Sequence, residues 1–203
     1  MTETNENNQN TIGKALILGI LSSTATLITA IIGSSTTQIV DFFRRFIEMF
    51  STLISLLLFR HNLHETSAEK IHSNNQKVNL VINNTLILSG ILMIIVGIAK
   101  YRMGLGHKNV VPGFFVSLLG VILNFYFCIK YSRSLKRQYE PIIKSQYNLF
   151  KTKTIVDSCV LLTVGIMIVF PDFAYLDLID FISSVLVSIV LCFRGIRHLI
   201  KKS

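Results

Sequence analysis

Six apolar blocks divide the chain, near Ile12 to Ile32, Ile39 to Phe59, Leu80 to Ala99, Val110 to Ile129, Lys153 to Phe170 and Leu176 to Phe193. At about 1.5 Å per residue, each approaches the roughly 30 Å hydrocarbon core of a bilayer when helical. A bilayer offers the backbone no water, so segments of this kind predict helices that satisfy their own peptide groups. The pattern therefore predicts an all-α, polytopic membrane protein, a six-transmembrane-helix bundle spanning residues 12–203. Residues 1–11 are polar and predict a disordered tail. Too little chain follows the sixth block for a soluble carboxyl-terminal domain. Glu3 and Glu6 precede the single Lys14, the wrong charge order for a secretory signal peptide.

The second block breaks the apolar pattern. Its stretch QIVDFFRRFIEMFSTLISLLLF, from Gln38 to Phe59, carries Asp41, Arg44, Arg45 and Glu48 at helical spacings that place all four on one face. The uncharged remainder from Met49 to Phe59 rises only about 16 Å, so a spanning helix takes these charges into the membrane. Each costs on the order of 2.5–3.5 kcal/mol at mid-membrane, which requires the stripe to face protein or water. Block five repeats the theme with Lys153 and Asp157 at i, i+4, and block six begins with Asp180. Two ion pairs are expected, Arg44 with Glu48 and Lys153 with Asp157, either within each helix or crossed between them.

Composition supports the membrane reading and changes the meaning of the charge. Hydrophobic residues make up 51% of the chain, mean hydropathy is +0.56, and the net charge is +9. In a soluble protein that charge would suggest nucleic acid. Here the basic residues lie between apolar blocks, where they set orientation. With the amino terminus inside, 15 Lys and Arg fall on the inner side and three, Lys100, Arg102 and Lys108, on the outer side, leaving Arg44 and Arg45 within the membrane. Both termini are predicted to be cytoplasmic, with the cell's plasma membrane as the location and no nucleic-acid partner. The basic segment from Lys130 to Lys153, broken by Pro141, suits an anionic inner leaflet.

Other polar positions are open to blander readings. Gly19, Ser22, Ser23, Thr24, Ala25 and Thr26 in block one suit close helix packing, and Asn79, Asn83, Asn84 and Asn124 suit bonds between helices. The loop after block two places His61, His64, Glu65 and Glu69 at spacings of one helical face, with His72 nearby. Such a set fits a metal site and equally fits solvated side chains. Cys128, Cys159 and Cys192 lie in apolar blocks as packing residues. No Gly-rich phosphate loop or His-Glu-x-x-His motif occurs, so the chain reads as neither an enzyme nor a cofactor protein.

Taken together, the charged stripe, the basic-acidic pair in block five and the Asp opening block six resemble the membrane domain of the cation diffusion facilitator family. The family reads Ala-Asp-Ala-x-His-x-x-x-Asp in its second helix. Here stand Val40, Asp41, Phe42, Phe43, Arg44, Arg45, Phe46, Ile47 and Glu48, in register without gaps. The family's His-x-x-x-Asp in helix five corresponds to Lys153 and Asp157. The resemblance implies a transporter exchanging divalent metal, such as zinc, manganese, iron or cobalt, for protons, and it implies a homodimer. It assigns the transport site to Asp41, Arg44, Glu48, Lys153 and Asp157, with Glu48 and Asp157 as metal ligands and Asp180 as a secondary candidate, while His61, His64 and His72 remain a separate metal candidate from their spacing, poorly matched to the family's His- and Asp-rich loop. Arg44 and Lys153 replace the two imidazoles, and a guanidinium has no lone pair for a metal. Two alternatives therefore stand beside metal exchange: a transporter of a non-metal substrate, and a transport-inactive membrane subunit whose charges hold a partner helix.

Overall fold

The computed structural model describes residues 3–33, 36–103, 111–170 and 175–200. Lys108, Lys201 and Lys202, which enter the topology reading, lie outside the described residues. The described chain is all-helical: α1 (Glu3–Gly33), α2 (Thr36–His64), α3 (Ala68–Met103), α4 (Val111–Arg137), α5 (Pro141–Val169) and α6 (Leu176–Ile200). Five of these, all but α2, are long and apolar enough to cross a bilayer, which defines an integral multi-pass membrane protein. Helix α2 has the length, 29 residues or about 43 Å, but its charges set it apart from the other five.

Three helices begin well before the apolar blocks that announced them. Helix α1 begins at Glu3, so residues 3–11 of the polar tail are helical rather than disordered. Its Asn8 and Thr11 are buried, Thr11 Oγ1 bonds the Asn7 carbonyl, and the Asn8 side chain accepts a bond from Ser134 Oγ of α4. These polar groups find partners inside the bundle, which hydropathy cannot register. Helix α3 begins at Ala68, and the connection from α2 shrinks to residues 65–67. There Asn62 bonds both Asn74 and Asn75, tying the two helix ends together. Helix α5 begins at Pro141, whose fixed φ and missing N–H suit the first helical turn. Lys153 thus lies 12 residues, about 18 Å, into α5 rather than near its end.

Antiparallel neighbours α1 and α2, and α4 and α5, pack side by side. Further packing of α1 on α4 and α2 on α5 closes these four helices around a common axis. Helix α6 packs chiefly on α3, and this pair meets the rest through α2 and α5. Between α3 and α6 the backbones approach closely, because small residues face each other. A Cβ on Gly195 would lie 2.6 Å from Ile87 Cγ1 and 2.9 Å from the Asn83 carbonyl. One on Gly90 would meet Cys192 Sγ at 2.6 Å and the Ser188 carbonyl at 3.0 Å. Lipid tails are as apolar as the helices, so association rests on such packing rather than on expulsion of water. Outward-facing Leu119, Ile122, Leu162, Leu186 and Ile189 are more than half exposed in the protein and suit contact with acyl chains.

Gly195→Ala forces the two helices apart and should lower stability by about 1–3 kcal/mol, measured by thermal unfolding in detergent. Gly13→Ala, where a Cβ meets nothing within 4 Å, should instead raise stability by roughly 0.5–1 kcal/mol.

Candidate functional site

The four-helix core encloses one charge cluster. On α2, a rise of one turn brings Asp41, Arg44, Arg45 and Glu48 into reach of one another, and the inward face of α5 presents Lys153 and Asp157. Arg44 is the centre. Its Nη2 donates to Asp41 Oδ1 at 2.7 Å and to Asp157 Oδ1 at 2.8 Å, its Nε donates to Asp41 Oδ1 at 3.0 Å, and Nη1 reaches Glu48 Oε1 at 3.4 Å. Lys153 Nζ sits 3.3 Å from Glu48 Oε2 and 4.9 Å from the centre of the Phe150 ring. The expected ion pairs therefore form in their crossed version, Arg44 with Asp157 and Lys153 with Glu48, while Arg44 also keeps its contact within α2.

Arg45 completes the set. Its Nε donates to Asp41 Oδ2 at 2.7 Å, and its Nη1 donates to Ser22 Oγ on α1 at 2.9 Å. From α4, Asn124 Nδ2 donates to Asp157 Oδ2 at 2.7 Å. Three carboxylates thus balance three basic groups, with a polar group contributed by each of the four helices. Burial is nearly complete: Arg44 is 1% exposed, Glu48 and Asp157 are 2% each. A fixed partner for every charge is what makes such burial tolerable, since removing one partner of a buried pair typically costs about 3–5 kcal/mol.

Gly120 on α4 makes room for the cluster. A Cβ there would lie 2.8 Å from Asp157 Oδ2 and 3.4 Å from both Arg45 Nη atoms. Beside the cluster lies a cavity of about 40 Å³ whose polar lining includes Ser22, Arg45, Glu48, Thr52, Asn124 and Lys153. A water needs at least roughly 10–15 Å³ of such volume, so the cavity has room for a few.

The other sequence candidates lie elsewhere. Asp180 is part-buried near the start of α6, a helix that packs on α3 and α5. The histidine set does not assemble as one helical face, because α2 ends at His64 and Glu69 belongs to α3. Instead His61 Nε2 stands 3.7 Å from Glu65, and His72 pairs with Gln76. Glu65 caps the turn: the Ser67 N–H, followed by Lys70 and the Thr66 N–H, holds its carboxyl below the usual range. Among the described residues, no group of three or more His, Cys, Asp or Glu side chains is arranged to hold a metal ion. At Asp41, Glu48 and Asp157 the reason is visible, since Arg44 occupies the space between them.

Four contributors were not assigned to the site by sequence. Arg45 stood in the charged stripe of the second block but outside the assigned set. Asn124 was legible as a polar residue bridging helices, though not which one. Ser22 was one hydroxyl among several in α1. Gly120 gave no signal, because its role depends on two side chains from other helices. Comparison with known proteins adds no assignment: no protein-family model matches the chain, and no curated protein matches it.

Arg44→Leu leaves Asp157 and Glu48 short of a cation and should cost about 3–5 kcal/mol, seen as loss of folded, monodisperse protein in detergent. Arg44→Leu/Asp157→Leu removes both charges and should recover part of that loss.

Proposed function

We propose that the chain is a six-span membrane transporter of a small cation, with both termini cytoplasmic, a plasma-membrane location, and the Arg44 cluster as its transport site. Helix α2 is the sixth span: its charges are turned into the bundle, so its outer surface is free to meet lipid. The observation that carries the reading is the inward orientation of the cluster beside a polar cavity. Charges that hold a partner helix must face outward, whereas Arg44 and Asp157 are consumed within one bundle. Intramembrane ionisable groups lining a cavity are the usual marks of an ion path.

Mechanistically, Arg44 and Lys153 act as built-in cations on Asp157 and Glu48. An incoming cation or proton competes for the same carboxylate oxygens and displaces the guanidinium or ammonium. Loss of those contacts between α2 and α5 then frees the helices to move, so cargo and conformation are linked through one set of bonds. The groups offered once Arg44 moves are Asp41, Glu48, Asp157, Asn124 and Ser22, all oxygen donors. Such a set suits hard cations such as manganese or magnesium better than zinc, which favours imidazole and thiolate. Exchange against protons follows from the resemblance to cation diffusion facilitators and from carboxylates being the groups that change partners.

Flux assays on sealed vesicles containing the purified protein test this reading, with manganese, magnesium, calcium and zinc supplied with and without a pH gradient. Hard-cation flux that dissipates the gradient and falls at least tenfold in Asp157→Asn is expected. Absence of flux for all four ions, from protein shown to be folded, overturns it.

A further inference from the structure

The inward stripes of three core helices, α1, α4 and α5, are layered. Along α4, the positions Gly120, Asn124, Phe127, Tyr131 and Ser134 recur at three- and four-residue spacings and so share one face. Along α5 the corresponding face runs Gln146, Phe150, Lys153, Asp157, and along α1 it runs Asn8, Ile12, Ala15, Gly19, Ser22. Each stripe passes from the polar groups of the charge site, through an apolar layer, to polar groups again. Gln146 lies 11 residues before Asp157, which puts the second polar layer about 16 Å from the first.

Between the layers stand Phe127 and Phe150, with ring centroids 5.2 Å apart and exposures of 2% and 4%. Both also line the charged cavity. On the far side, the Tyr131 ring packs 5.5 Å from Phe150 and 6.2 Å from Phe127. Ser134, one turn beyond Tyr131, bonds Asn8 of α1, and Gln146 lies one turn before Phe150.

This second layer is rich in polar groups that the protein does not pair. Tyr131 and Gln146 are 0% exposed and Asn8 is 2% exposed. The Tyr131 hydroxyl, both amide atoms of Gln146 and Nδ2 of Asn8 have no hydrogen-bond partner among the described residues. An unpaired buried polar group is destabilising, and natural proteins meet such groups with internal water. The four atoms are complementary, with two amide donors, one amide acceptor and a hydroxyl able to act as either.

We propose that Asn8, Tyr131, Ser134 and Gln146 form a second, water-holding site in the bundle core, closed off from the charged cavity by the Phe127–Phe150 pair. The site lies toward the amino-terminal end of α1, the carboxyl-terminal end of α4 and the start of α5, where Lys136, Arg137 and Lys144 stand. On the transport reading, from which its role as an access route follows, it is the inner vestibule and the two phenylalanines are the barrier that rearranges.

Two readouts, neither of which involves flux, test it on the full-length protein. In the first, thermal unfolding is compared for Tyr131→Phe, Gln146→Leu and the double variant. Shared water makes each single change lower the midpoint by about 2–4 °C and makes the double variant lose clearly less than the sum. Unchanged or raised midpoints with additive effects mean a dry core and overturn the proposal.

In the second, Leu123→Cys on the charged cavity is introduced with Cys128, Cys159 and Cys192 replaced by Ala. It is labelled by a charged thiol reagent applied from the membrane face on which the amino terminus lies. Phe150→Ala, or Phe127→Leu should the first variant fold poorly, should speed labelling at least tenfold. Equal rates in a folded variant overturn the barrier. Coupled midpoints and faster labelling without cation flux would retain the site while removing the transport reading, so the two fail separately.

Discussion

The Arg44–Asp157 contact is the constraint on which the rest of the arrangement depends. At 2.8 Å and almost fully buried, it joins α2 to α5 across the middle of the bundle. Neither group is tolerable alone in a low-dielectric interior, because desolvation of an ion costs several kcal/mol before any partner is met. Together with Asp41, Arg45, Glu48 and Lys153 they form a set of zero formal charge, and only as a set do they permit α2 to lie among apolar helices. Other features of the core serve this contact. Asn124 takes the remaining oxygen of Asp157, Ser22 takes an Nη of Arg45, and the missing side chain of Gly120 leaves the space.

Two kinds of helix association coexist in the bundle, and their physics differ. The α3–α6 pair is held by interlocking small residues, where Gly90 and Gly195 let one backbone rest against another. Such packing is short-ranged and has little tolerance for sliding. Contact between α2 and α5 is lighter and passes largely through long charged side chains. Arginine and lysine can exchange partners by rotating about several bonds while the backbones shift only modestly. On the transport reading proposed above, a tightly packed pair beside a core held by exchangeable ion pairs would suit a site that opens alternately.

The same layout explains why the acids do not form a ready metal cage. Three carboxylates converge, but they converge on a guanidinium, which neutralises them and fills the space among them. On the proposed transport reading, a cation entering the site would have to outcompete an internal ligand, which would make occupancy and helix contacts parts of one equilibrium.

Much of this was legible in the order of residues. Long apolar blocks determine membrane helices because the backbone has no alternative in lipid, and a charged stripe at helical spacing inside one block determines that its face is turned inward. Local pattern also singled out Arg44, Glu48, Lys153 and Asp157 as ion-pairing residues, since helical spacing brings i, i+4 residues together, but it left out the pairs that Asp41 makes with Arg44 and Arg45. Tertiary structure alone decided the crossing of those pairs, because partners 113 residues apart are chosen by how α2 and α5 are rotated against each other. It also decided the true helix ends. Glu3 to Thr11 and Ala68 to Lys77 are polar enough to look like tail and loop, yet several of their side chains find partners on neighbouring helices. Hydropathy measures a residue against lipid or water. It carries no information about a polar partner supplied by another helix, and that is where Ser22, Gly120 and Asn124 acquired their roles.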